Sequence, residues 1–151
     1  VAKKRAAKKP ALVTRAEVVR CIEHYRKFLG LSDWQHKLVM DMSGKGDAMA
    51  TVVARPSRRT FCMVFAPRCF ADGAANEQTG VVTLENTVLH ELLHVLLWPL
   101  VEGIAPDAQE EVDTAGAIRV VLEEPIVDPL ARVLARYLPK PPPPKKSRRR
   151  A

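Results

Sequence analysis

The sequence predicts a single α+β domain, and three observations predict it. Residues 14–30 show helical spacing between a capping signal and a glycine. Residues 34–66 hold three strand-like runs separated by turn chemistry. Residues 83–100, TLENTVLHELLHVLLWPL, form a long apolar run with two histidines and a glutamate in its middle. The expected order is an N-terminal helix, a three-stranded antiparallel sheet, the histidine-bearing helix and C-terminal helices.

Each element has a local cause. Thr14 and Glu17 have the spacing of a capping box, and Gly30 supplies a stop, which predicts a helix running to about Leu29. Val18, Cys21, Ile22, Tyr25, Phe28 and Leu29 recur on one face of it. Strands are expected at Trp34–Met42, Ala48–Arg55 and Thr60–Ala66, and the separators SGKGD and PSRR suit turns, giving an antiparallel meander. The segment Asp72–Gly80 reads as a loop. The next helix is expected to start at Thr83 as N-cap, with Glu85 in its first turn, and to end near Trp98, before or at Pro99. A further helix is expected from Asp107 towards Glu124, and Leu130, Leu134 and Leu138 mark a last one.

Composition narrows the function classes. At 151 residues with 47% apolar content, the chain can bury a real core, and no apolar run reaches the ~18 residues that span a bilayer. Cys21, Cys62 and Cys69 form no C-x-x-C pair, which argues for a reducing compartment and for buried, inert thiols. No apolar stretch follows the basic N-terminus, so export is not expected.

The net charge of +7 is unevenly placed: residues 1–10 carry five basic side chains and residues 140–151 carry six, with no acidic ones in either. Removing those eleven charges from +7 leaves −4 on residues 11–139. The chain therefore divides into two basic, Pro-containing tails expected to be disordered and one folded body. Such tails attract phosphate backbones or acidic proteins, the alternative being a merely solubilising terminus.

The chemistry lies in the apolar run. Positions four apart on a helix project from one face, so the rings of His90 and His94 can converge on one ion at ~2.0–2.1 Å from each nitrogen. Glu91 stands beside that ion without competing for it, where it can take a proton from a water held by the metal. Leu92 and Leu93 pack inward. Two core histidines satisfied by backbone carbonyls would be the bland alternative, but an apolar helix offers few such partners. A catalytic zinc needs a third protein ligand and an open position. No histidine follows His94, and His24 and His36 precede the motif, so the third ligand should be a carboxylate. Glu102, Asp107, Glu110, Glu111, Asp113, Glu123, Glu124 and Asp128 are all available.

The strings TVLHELLHVLL and LEEPIVDPLARVLARYL resemble the small zinc peptidases of the gluzincin type often encoded by phages. They are similar, more distantly, to the repressor-cleaving peptidases of the ImmA kind. That resemblance implies a minimal zincin-like fold and a Zn2+ held by His90, His94 and Glu124. It also implies Glu91 as general base, and a host-cytoplasmic or virion-associated location. It places a small polar residue four positions after the ligand glutamate, which here is Asp128. On a helix Asp128 would lie one turn beyond Glu124 and could accept a hydrogen bond from a ligating histidine. Glu123 points ~100° away and has Val127 at that offset. Pro125 suits a first helical turn, whereas Pro129 should kink the segment, unless Asp128 caps a helix that starts there.

The expected activity is zinc-dependent peptide hydrolysis. The strand TFCMVFA is the expected holder of an extended substrate, and Tyr137 or His36 is a candidate oxyanion donor. The alternative function is a non-catalytic, zinc-stapled module that binds virion or nucleic-acid partners through the tails. Glu91 favours the enzyme, because a structural staple has no use for a base.

Overall fold

The computed structural model describes residues 12–43, 49–67, 83–104 and 124–143, the side chains of 101–104 excepted. Helix α1 spans Arg15–Phe28, strand β1 Gln35–Met40, β2 Ala50–Arg55 and β3 Thr60–Phe65; α2 spans Leu84–Ile104 and α3 Glu124–Tyr137. The architecture is α+β. The predicted helix from Asp107, the loop at Asp72–Gly80 and most of both tails lie outside the described residues.

Helix α1 starts where the capping box requires. The Thr14 side chain accepts from the Glu17 amide at 3.3 Å, and the Glu17 carboxylate accepts from the Thr14 amide at 2.8 Å. Those bonds from Thr14, backbone first, hold the Glu17 carboxyl below the usual carboxylate range. Gly30 takes the left-handed φ of 71° that ends the helix. Val18, Cys21, Ile22 and Tyr25 are buried as the spacing predicts, but Phe28 is half exposed. It lies in the last turn, where its ring meets the edge of His24 instead of the core. Burial lifts the Cys21 thiol to about 12, so it is inert at neutral pH, and Cys62 is also free.

The sheet departs from the expected meander. Its order is β1-β3-β2, with β2 antiparallel to β3 but β1 parallel to it. The sheet is therefore mixed, and β3 is its centre. Composition explains the placement: TFCMVF has no charged side chain, whereas β1 and β2 carry Lys37 and Arg55 and suit the edges. A parallel β1–β3 pair needs a long connection, and residues 41–59 provide it with β2 inside the excursion. The β2–β3 turn is a short 3-10 turn, Pro56–Arg58, closed by Arg59 in the left-handed region at φ 48°.

Helix α2 is the hub, packing against α1, α3 and β2. Thr83 caps it, accepting from the Asn86 amide at 3.1 Å. The helix does not stop at Pro99 but continues to Ile104. A proline removes one intrahelical donor while keeping helical φ, and the preceding turns are anchored by Leu92, Leu93 and Val95, all buried. Pro129 likewise lies inside α3, which starts at Glu124 and runs unbroken. The buried stripe of α3 is Val127, Ala131 and Ala135, while Leu130 is 38% exposed. Small residues on that stripe let α3 approach α2 closely. The chain after α3 is tied back: His24 Nε2 donates to the Pro139 carbonyl at 2.7 Å, and Lys140 Nζ donates to the Ala135 carbonyl at 3.1 Å. No helix among the described residues is long and apolar enough to cross a membrane.

The α2–α3 contact makes a stability prediction. Ala131→Leu inserts three carbons where only 1% of the residue is exposed, and should cost about 1–3 kcal/mol. Exposed Arg136→Ala should cost less than ~0.5 kcal/mol. Urea unfolding of the metal-free protein measures both; equal losses would mean that α3 does not meet α2 through this stripe.

Candidate metal centre

Four side chains from two helices build the site. His90, Glu91 and His94 come from α2; Glu124 is the first residue of α3. His90 Nε2 lies 3.0 Å from His94 Nε2 and 3.3 Å from Glu124 Oε2, and His94 Nε2 lies 3.2 Å from Glu124 Oε1. All three ligand-type atoms fall within 4.8 Å of one another, a group that could hold a metal ion. Four ligands at the corners of a tetrahedron, each ~2.0–2.1 Å from its centre, stand ~3.3 Å apart. The spacing of these donors therefore suits such an ion.

Asp128, one turn along α3, fixes His90. Its Oδ1 lies 2.9 Å from His90 Nδ1, and a carboxylate only accepts, so Nδ1 carries the proton. In the neutral ring this leaves the lone pair on Nε2, the atom that meets Glu124. Arg132 approaches the other Asp128 oxygen at 3.4 Å. His90 is held below its ordinary pKa, first by burial and then by His94, against the opposite pull of Glu124 and Asp128. A depressed pKa keeps the ring available as a ligand at neutral pH.

A cleft of about 250 Å³ opens over this group, lined by His90, Glu91, His94, Glu124 and the β2 residues Ala50, Thr51 and Val52. Glu91 and His94 are both only 6% exposed. The wall opposite the helix is thus β2. The expected strand, β3, is central and has partners on both edges, so it has no free backbone to offer. Neither proposed oxyanion donor lines the cleft. His36 stacks on Phe61 and faces Glu23 at 3.6 Å, and Tyr137 is 83% exposed at the far end of α3. His24 is engaged by Pro139. Of the other carboxylate candidates, Asp107, Glu110, Glu111, Asp113 and Glu123, with the Glu102 side chain, lie outside the described residues.

No family model matches the chain, and comparison with curated proteins and with solved structures found no match.

The geometry makes two predictions. Purified protein should bind one equivalent of Zn2+, and His94→Ala should lose it, whereas Asp128→Ala should keep the stoichiometry and weaken affinity about 10- to 100-fold. Zinc titration with a competing chelator measures this; unchanged affinity in Asp128→Ala would remove Asp128 from the centre.

The second concerns the metal-free protein. The unfolded chain protonates His90 near pH ~6.5, and the folded chain only at lower pH. The unfolded state thus binds more protons in that window, and stability should fall as pH drops below ~6.5. Unfolding midpoints should fall less in His90→Gln than in the wild type over the same range.

Proposed function

We propose that this protein is a zinc-dependent peptidase with Glu91 as its general base. The observation that carries the reading is the position of Glu91. It is a buried carboxylate one residue from His90, in the wall of a cleft whose other side is β2, an edge strand among the described residues. A structural zinc site closes with a fourth side chain, usually cysteine. Among the described residues the group comprises two imidazoles and one carboxylate, with the cleft above them.

His90, His94 and Glu124 would hold the ion, and two neutral imidazoles with one carboxylate form a donor set that zinc favours. Bound zinc would polarise a substrate carbonyl and acidify a water. The chain's own residues do the rest. Asp128 keeps the His90 ring turned with Nε2 towards Glu124. Glu91 accepts a proton from the attacking water as its oxygen bonds to the carbonyl carbon. As the C–N bond breaks, Glu91 passes that proton to the departing amine. The outer edge of β2 would hold the substrate extended beside these groups, through main-chain hydrogen bonds.

Glu91→Gln tests the assignment, because the amide is nearly isosteric yet cannot take the proton. The variant should keep one zinc and an unchanged thermal midpoint, but cleave casein or a peptide mixture about 10²–10⁴-fold more slowly than the wild type. Equal rates would show that Glu91 is not the base.

A further inference from the structure

The edge of β2 carries more than a place to dock. The Ala66 amide donates to the Met49 carbonyl at 2.8 Å, which makes those two a hydrogen-bonded pair. Such pairs alternate along an antiparallel ladder. Thr51, Val53 and Arg55 therefore turn their backbone groups to β3, and Ala50, Val52 and Ala54 turn theirs to the outer edge. Two of those three, Ala50 and Val52, line the cleft.

From the cleft the strand runs on to Arg55 and the Pro56–Arg59 turn. At ~3.4 Å per residue, Thr51 to Arg55 covers ~14 Å, the length of about four residues of extended peptide. Arg55 and Arg58 are exposed and form no ion pair among the described residues, whereas Arg59 is held by Asp33. Two guanidinium groups without an ion-pair partner among the described residues thus stand at the end of the edge, on a body whose net charge is −4.

We infer that Arg55 and Arg58 select peptides bearing an aspartate or glutamate three to five residues N-terminal to the cleaved bond. This rests on the peptidase reading above. The direction follows from strand polarity. β2 runs away from the cleft, and an added strand pairs more favourably antiparallel than parallel, so the N-terminal part of a substrate passes the arginines. The chemistry is an exposed, salt-sensitive ion pair, worth about 1.5- to 5-fold in rate constant for each contact.

The test is digestion of a proteome-derived peptide mixture by the zinc-loaded full-length protein, with cleavage sites read by mass spectrometry. Wild type should enrich Asp and Glu about 1.5- to 5-fold at those positions, and the enrichment should shrink with added salt. Arg55→Glu/Arg58→Glu, checked for zinc content and thermal midpoint, should lose the enrichment or reverse it towards Lys and Arg. Because enrichment is a ratio within one digest, it is independent of total rate.

Cleavage without acidic enrichment, enrichment on the C-terminal side, or enrichment that survives charge reversal would overturn the inference and leave the peptidase reading standing. No cleavage by wild type would overturn both. Single-stranded DNA and RNA binding by the two proteins provides the rival arm. If reversal abolished nucleic-acid binding and left the cleavage profile unchanged, the arginines would be a nucleic-acid contact and the inference would fall.

Discussion

Two imidazoles and a carboxylate meet because a helix faced with small residues lies against a helix packed with large ones. Val127, Ala131 and Ala135 form the buried stripe of α3, and on α2 Leu89, Leu92 and Leu93 are buried. Ligand-type atoms at 3.0–3.3 Å leave no slack for a wider separation of the helices. A displacement of α3 by one methylene layer would take Glu124 and Asp128 out of reach together, since both hang from the same first turns. Packing in the core and chemistry at the surface are thus one constraint.

The same constraint explains why polar groups are tolerated in so apolar a helix. Burying an imidazole is costly unless its nitrogens are engaged. In α2, His90 is engaged by Asp128 at Nδ1, while its Nε2 lone pair faces Glu124 at 3.3 Å. The half-exposed Asp128 carboxylate from α3 therefore offsets part of the cost of burying His90. A cation at the meeting point would satisfy lone pairs that otherwise face one another, so folding and metal binding should be linked.

Local signals in the sequence were readable, and long-range ones were not. The start and stop of α1 were legible because a capping box and a glycine act within one turn. The His90–His94 pairing was legible because i and i+4 share a face on any helix. Asp128 was legible for the same reason, once Glu124 was chosen. Sheet order was hidden: alternation in Ala50–Arg55 tells which side chains face inward, but not which neighbour the strand takes. The apolar character of β3 is the available sign of a central strand, but an apolar run equally suits an edge that holds a substrate. The wall formed by Ala50, Thr51 and Val52 follows from that sheet order and has no local signal of its own. Pro99 and Pro129 were misleading because a proline's local cost says nothing of the tertiary anchoring around it. Phe28 and Leu130 show the converse, apolar side chains at helical spacing that stay 50% and 38% exposed.

Zinc-edge X-ray absorption of the full-length protein tests the centre most directly, because it reads ligand type without assuming an activity. Ligation by His90, His94 and Glu124 predicts only nitrogen and oxygen neighbours at ~2.0–2.1 Å, with outer scattering from two imidazole rings. Sulfur neighbours at ~2.3 Å, or the absence of imidazole scattering, would place the metal on other residues and contradict the centre described above.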